Sequence, residues 1–202
     1  MSDRLIVLAA VVLCLSGCSS SDDTGAVSSA VPRPTAYPRL DLPDTASVVL
    51  TDGLPVHVRV SQAATCSVSS ADGERPAALT VDYPPRTGAS VYFTFIPVDG
   101  ANIEKVLDAR RERISLNLNG APASTTHAFG DGIEAVIVTA QTGSQTPVQL
   151  LADIDGRWVV SATAFVHEPS AAFSYDSVRP LYDRLSEDMA KALGPLTVIK
   201  SR

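Results

Sequence analysis

The stretch 148-VQLLADIDGRWVVSATAFV-166 decides the fold of this chain, because it reads as two β-strands joined by a tight turn. The pair Asp155-Gly156 separates the apolar runs Val148–Ile154 and Trp158–Val166. An Asp-Gly pair in this position is a strong hairpin signal, since both residues of a type I′ turn need positive φ. The second run is apolar on both faces, as in a strand covered on both sides. We therefore predict a central β-hairpin here.

Further strands are predicted upstream of this hairpin. In Val91–Val98, Val91, Phe93 and Phe95 take one face and Tyr92 and Ile96 the other, which again indicates a sheet covered on both sides. Shorter apolar alternations predict strands at 56–60, 79–83 and 133–138. The proline-rich segment 37–43 cannot be helical, so we expect an edge strand or a strap docked on the domain.

Residues 102–116 have the apolar spacing of a helix. Asn102 can cap its start and Asn119-Gly120 can end it. Its outer face carries Arg110, Arg111 and Arg113, which either dock an acidic partner or form a solvated helix face. The residues of its apolar face are Ile103, Val106, Leu107, Ile114 and the aliphatic stem of Arg110.

A second helix is predicted near the end of the chain. Asp176 or Ser177 can cap it, Pro180 falls in its first turn, and Gly194-Pro195 stops it. The pairs Glu187–Lys191 and Arg184–Asp188 are expected on its surface. Its apolar stripe is formed by Val178, Leu181, Tyr182, Leu185, Met189, Ala192 and Leu193.

Strands joined by tight turns together with two amphipathic helices predict an α+β fold. We expect a mostly antiparallel sheet covered by the two helices, in a single globular domain spanning residues 37–202. A domain of this length is large enough to bury its own hydrophobic core.

The N-terminal segment resembles the export signal of a bacterial lipoprotein. The apolar run Leu5–Leu15 is too short to span a bilayer, and small residues and Cys18 follow it. The sequence Leu15-Ser16-Gly17-Cys18 is similar to a lipobox, in which the cysteine thiol receives a diacylglycerol and becomes the first residue of the mature protein. The resemblance implies a signal peptide at 1–17 and a membrane anchor at Cys18. The alternative is an ordinary signal peptide in which Cys18 is incidental.

The segment 18–36 is predicted to be a lipid-anchored flexible linker, because it is rich in serine, alanine, aspartate and proline without apolar periodicity. Its run Ser21-Asp22-Asp23 resembles a surface-export signal of some gliding and gut bacteria, and it is equally well read as an acidic linker. The residue after Cys18 is Ser19 and not the aspartate that favours inner-membrane retention in some bacteria. We therefore expect the anchored protein in the outer membrane rather than the inner one.

The charge of the chain argues against nucleic acid as a partner. The formal net charge is −6, and removal of residues 1–17 leaves it unchanged because one acid and one base are lost. With Cys14 removed and Cys18 acylated, Cys66 has no disulfide partner and is expected to be a buried apolar residue.

No catalytic, metal or cofactor site is predicted. The histidines His57, His127 and His167 lie in different segments without the spacing of a zinc motif. A fold that brought His127 and His167 together with Asp131 or Asp153 would create a metal site or a hydrolase site. Asp155 is already explained by the turn that it forms.

Short motifs along the mature chain resemble the gliding-motility lipoproteins of the GldD type. A cysteine in the first third of the chain, Cys66, also fits this family. One departure is Phe165-Val166-His167, where the family carries a Tyr-Phe pair before the last helix. The matching motifs are the lipobox at Cys18, Arg33-Pro34, 37-YPRLDLP-43, 107-LDAR-110, 148-VQLL-151 and 175-YDSVRP-180.

The resemblance implies a non-enzymatic envelope lipoprotein that supports gliding motility or the linked type IX protein secretion machinery. Its partners would be the membrane, through acyl chains on Cys18, and envelope motility or secretion proteins. The order of elements is also similar to the α/β/α sandwich of PsbP- and Mog1-like proteins, which serves binding and assembly. The alternative function is a lipoprotein that binds a small ligand or glycan in a sheet-lined pocket. An exposed Tyr92 or Trp158 in a concave face would favour it.

Overall fold

The computed structural model of this protein describes residues 46–72, 75–85, 87–167 and 175–195, together with the backbone of 197–200. The predicted signal peptide at 1–17, the anchor at Cys18, the linker at 18–36 and the proline-rich segment 37–43 lie outside the described residues.

The described chain forms an antiparallel sheet of eight strands in the order β10-β6-β7-β8-β9-β5-β4-β3, and a separate two-stranded sheet of β1 and β2. The strands are β1 Ser47–Leu50, β2 Val58–Ser61, β3 Thr65–Ser69, β4 Ala77–Asp82, β5 Ala89–Pro97, β6 Ala123–Gly130, β7 Ile133–Ala140, β8 Val148–Ile154, β9 Trp158–Val166 and β10 Thr197–Lys200.

The predicted central hairpin is confirmed. Strands β8 and β9 have the predicted bounds, and β9 lies between β8 and β5 inside the sheet. Asp155 and Gly156 both adopt positive φ, 53° and 64°. The backbone N–H of Arg157 donates to the Ile154 carbonyl over 2.9 Å, which closes the turn. The Asp-Gly turn signal was therefore sufficient to predict that these two strands pair.

Four strands were not predicted, namely β1, β3, β6 and β10. The sequence of β6, 123-ASTTHAFG-130, is mostly small and polar, and β3 has largely exposed side chains. Neither strand has an apolar alternation of its own. Each is held in the sheet by its pairing with the neighbouring strand, β4 for β3 and β7 for β6. Periodicity therefore cannot reveal them.

The first helix, α1, spans Ile103–Leu118. As predicted, Asn119 and Gly120 end it with positive φ of 49° and 75°. The prediction that Asn102 caps the start through its side chain is wrong. The Asn102 side-chain oxygen accepts from the Asp99 backbone N–H, and Asp99 Oδ1 accepts from the backbone N–H groups of Ala101 and Asn102. Asp99 therefore organises the turn that precedes α1.

The second helix, α2, spans Tyr175–Ala192, and Gly194 follows it with φ of 120°. Its start was predicted too late. Because Tyr175 is already helical, Asp176 lies in the first turn and Pro180 lies beyond it. The Arg184–Asp188 pair is also not a surface pair, since the two side chains are only 15% and 19% exposed. The predicted apolar stripe is confirmed, with Val178, Leu181, Tyr182, Leu185, Met189, Ala192 and Leu193 all buried.

The two helices lie on opposite faces of the large sheet, which confirms the predicted α+β fold. Two consecutive residues of β8 show this directly. Leu150 belongs to the core beneath α2, and Leu151 packs with Leu107 of α1. The α2 face is fully packed, and β1 and β2 lie on the same side. The α1 face is only partly covered. On this face of β5, Ile96 packs in the α1 cluster while Tyr92 remains 45% exposed, so the predicted cover on both faces holds for only part of the strand.

Candidate functional site

A cleft of about 630 Å³ lies between α1 and strands β6, β7 and β8, and we call it the α1 cleft. Its volume lies within the range of small-ligand pockets, about 300–1,000 Å³. Its apolar walls are Leu107, Ile114 and Leu118 of the helix and Ala123, Val136, Val138 and Leu151 of the sheet. The polar side chains around them are Glu104, Arg111, Ser115, Thr125, His127, Glu134 and Asp153.

The cleft exists because α1 covers only the two middle strands of the large sheet. The helix packs on β8 and β9, where Leu107 meets Leu151 and Val159. Strands β6 and β7 extend the same face beyond the helix, so Val136 and Val138 are only half-buried. Apolar side chains of a sheet face that a helix leaves partly open form a natural binding surface.

One end of the α1 cleft is acidic. Glu134 on β7 and Asp153 on β8 are directly opposite each other in the strand register. Glu104 lines the same cleft from the first turn of α1. Arg111 also lines it, but its guanidinium is held by Asp108 at 2.7 Å and lies 3.8 Å from Glu104. Among the described residues, no ion pair joins Arg111 to Glu134 or Asp153.

The other end of the cleft is neutral and is fixed by a hydrogen bond from the helix to the sheet. Asn117 Nδ2 donates to Gln149 Oε1 over 2.7 Å, which fastens the last turn of α1 to β8. Gln149 is 2% exposed, and its Nε2 is buried without a hydrogen-bond partner in the described part of the chain. The polar link is thus placed beneath the helix rather than in the open part of the cleft.

The histidines do not converge. His127 on β6 lines the α1 cleft, His57 is exposed just before β2, and His167 follows β9. The register places His127 level with Ser161, three strands away. His167 lies six residues beyond Ser161, just past the end of β9, so His127 and His167 are roughly 25 Å apart by strand geometry. The sequence-based possibility that the two form one site is therefore wrong.

Asp131 and Asp153 also fail to complete a metal site. Asp131 is exposed in the turn between β6 and β7, whereas Asp153 lines the cleft and accepts a hydrogen bond from the Gly156 N–H. Among the residues that the structure describes, no three His, Cys, Asp or Glu side chains are grouped to hold a metal ion.

His167 instead takes part in a hydrogen-bonded chain with Ser90 and Asp82. The buried Ser90 hydroxyl donates to Asp82 Oδ1 over 2.5 Å, and its oxygen lies 2.7 Å from His167 Nε2. A hydroxyl has one proton, so while Ser90 donates to Asp82 its contact with His167 requires the tautomer that carries a proton on Nε2. A nucleophilic serine needs the reverse arrangement, in which the imidazole accepts the hydroxyl proton. In the arrangement seen here, Asp82 and Ser90 together orient His167.

An aromatic pair occupies the open part of the α1 face. The rings of Tyr92 and Phe165 meet edge to face with centroids 5.3 Å apart, and the two side chains are 45% and 40% exposed. With Gln145, Val166 and His167 they line an open hollow of about 520 Å³. Trp158 is different, because it is half-buried and packs against the core on the α2 face. Of the two aromatic residues proposed as ligand contacts, only Tyr92 is exposed.

Cys66 is half-buried on β3 and packs against the main core, so its burial is less complete than predicted. Burial, and next the negative charge of Asp82, raise the pKa of the Cys66 thiol. The thiol is therefore kept protonated and poorly nucleophilic.

Neither described helix is both long and apolar enough to cross a membrane. A sequence profile of the family described as gliding motility lipoprotein GldD matches residues 27–197 of the chain, which is more than half of its length. A search among curated proteins returned no match. The profile match confirms the family resemblance seen in the short motifs and includes both helices and the strands β1–β9. The chain therefore belongs to the gliding motility lipoprotein GldD family, which implies a role in gliding motility and a place at the membrane of the cell envelope.

Proposed function

We propose that this protein is a non-enzymatic lipoprotein, anchored through acyl chains on Cys18, that supports the gliding machinery or the linked type IX secretion machinery. The observation that carries the proposal is the family match over residues 27–197. The lipobox-like sequence Leu15-Ser16-Gly17-Cys18 supports the anchor. Two or more acyl chains give stable membrane attachment, because each buried methylene contributes about 0.8 kcal/mol.

A non-enzymatic role is supported by the state of the nucleophilic side chains. The Ser90 hydroxyl donates its hydrogen bond to Asp82, and burial raises the pKa of the Cys66 thiol. Neither group is prepared for attack on a substrate. The part of the α1 face that the helix leaves open, around Tyr92 and Phe165, is available to other envelope proteins.

The proposal is tested by comparing Cys18→Ala with Cys66→Ala in the host bacterium. The Cys18→Ala protein should leave the membrane fraction, and both gliding and secretion of type IX substrates should fall. The Cys66→Ala protein should remain in the membrane and retain both activities. Membranes separated on a density gradient should place the acylated protein in the outer membrane.

Two results would overturn this function. One is a Cys18→Ala protein that stays in the membrane and supports normal gliding. The other is a detergent pull-down of the protein with Cys18 intact that recovers no motility or secretion component. If gliding falls while type IX secretion stays normal, the role is confined to the gliding machinery.

A second candidate function is the binding of a small ligand in a sheet-lined pocket. The α1 cleft favours it, because the cleft joins an apolar sheet surface to a few polar side chains at one end. The exposed Tyr92 fits the same function, although it lies outside the cleft. The two functions are compatible, since a ligand-binding lipoprotein can also belong to an envelope machine.

A further inference from the structure

We infer that the α1 cleft binds an elongated apolar molecule with one cationic head group, such as a primary amine. The inference deepens the second candidate function and rests on it. The apolar part would lie between α1 and β7, and the cation would lie beside Glu134 and Asp153.

The apolar walls determine the shape of the ligand. Ile114 and Leu118 of α1 face Val136 and Val138 of β7 across the open part of the cleft. These residues follow the length of both elements from the acidic end to the neutral end. An elongated hydrocarbon placed between them removes apolar surface from water, which favours its binding.

The acidic end determines the charge of the ligand. Directly opposed like charges on neighbouring strands destabilise a sheet, yet Glu134 and Asp153 occupy such positions. Within the described ranges, neither carboxylate forms an ion pair with a lysine or arginine. Glu104 adds a third carboxylate to the lining, and Arg111 is already bound to Asp108. A ligand cation would remove the repulsion, whereas an anion would increase it.

The cation is carried on an organic molecule rather than being a metal ion. The carboxylates are not grouped with a third His, Cys, Asp or Glu ligand in the part of the chain described. Asp153 also uses Oδ1 to accept the Gly156 N–H at 2.9 Å. A single ammonium group needs only one or two such acceptors, while its apolar remainder fills the volume of about 630 Å³.

Three probes with one carbon skeleton test the inference: 4-phenylbutylamine, 4-phenylbutanol and 4-phenylbutyrate. Binding is followed by the methyl resonances of Val136, Val138 and Leu151 in the whole acylated chain, held in nanodiscs of zwitterionic lipid. The amine should bind about tenfold more tightly than the alcohol, and the carboxylate should bind most weakly. The preference should decrease as salt is raised, since the acidic end is partly exposed.

The double variant Glu134→Gln/Asp153→Asn should reduce the amine preference to less than about twofold. It keeps the side-chain shapes and the acceptor for Gly156, and it removes a repulsion, so folding should be retained. Glu187→Gln is the matched control, because Glu187 is an exposed carboxylate on α2, at the other face of the sheet. This control should bind the three probes as the unchanged protein does.

The inference is overturned by equal binding of amine and alcohol, by tightest binding of the carboxylate, or by an amine preference that survives the double variant. Resonance shifts confined to Tyr92 and Phe165 would also overturn it. So would an affinity that falls as protein concentration rises, because a second copy would then occupy the cleft. Equal binding of amine and alcohol inside the cleft would leave the ligand-binding function standing, so the two failures are distinguishable.

Discussion

The hydroxyl of Tyr83 donates a hydrogen bond to Asp188 Oδ2 over 2.8 Å and so joins the end of β4 to α2 across 105 residues of sequence. Arg184 Nε donates to the other carboxylate oxygen of Asp188 over 2.9 Å. Both oxygens of Asp188 are therefore used, in a site that is largely shielded from water. The network fixes how α2 lies on the sheet, which the apolar stripe of the helix alone does not specify.

The Tyr83→Phe variant should lower the free energy of unfolding by about 1 kcal/mol, because one hydrogen bond to a charged acceptor is lost. Asp188→Ala should lower the free energy of unfolding by more, about 3 kcal/mol. The Arg184 guanidinium is largely buried, and this variant removes the carboxylate that pairs with it. Urea denaturation measures both. Asp183→Asn is the control, because Asp183 is an exposed partner of Arg179 and its loss should change stability by less than about 0.5 kcal/mol. Equal effects at Asp183 and Asp188 would contradict the role of the network.

Stability should fall above pH 10, and Tyr83 should cause part of the fall. Burial, and next the Asp188 charge, raise the pKa of Tyr83 well above its ordinary value of 10.0. The unfolded chain therefore releases this proton at a lower pH than the folded chain does. The contribution is complete below pH 10 and is lost at about 1.4 kcal/mol for each further pH unit. Denaturation between pH 8 and 11 should show a shallower fall for Tyr83→Phe, and parallel curves would exclude Tyr83 as a cause.

Leu185→Ala should destabilise the protein by about 2–5 kcal/mol, because the fully buried side chain leaves a cavity between α2 and the sheet. Leu116→Ala makes the same chemical change on α1, where the side chain is 68% exposed. It should change stability by less than about 0.5 kcal/mol. Thermal and urea denaturation check the pair. Similar losses in both variants would show that α2 does not carry the main core.

Gly132→Ala should destabilise the turn between β6 and β7 by about 1 kcal/mol or more, because Gly132 has φ of 70° and a Cβ there would collide with the Asp155 carboxylate. Its carbonyl also accepts the Asp155 N–H at 2.8 Å, so the two hairpin turns are in contact. Gly100→Ala is the matched control, since a Cβ at Gly100 meets nothing within 4 Å and φ is not positive. Denaturation midpoints compare the two, and an unchanged midpoint for Gly132→Ala would rule out a tight contact between the turns.

The fold was predictable from the sequence wherever one segment carries its own periodicity or turn chemistry. The strands β8 and β9, the turn at Asp155-Gly156 and the apolar stripe of α2 were all predicted in this way. Strand β6 was not predicted, because its small and polar residues show no apolar alternation. Its pairing with β7 places it in the sheet. Asn102 failed as a side-chain cap because its amide oxygen accepts from the Asp99 backbone N–H instead of from an N–H of the first helical turn.

The family, the hairpin and the two amphipathic helices were determined by the sequence itself, since each depends on residues close together in the chain. The α1 cleft was decided only by the tertiary structure. Its acidic end needs Glu134 and Asp153 to be opposite each other, and that depends on strand register. Its opening needs α1 to pack on β8 and β9 rather than on β6 and β7. Register and helix position result from packing between distant segments, and a local pattern does not contain that information.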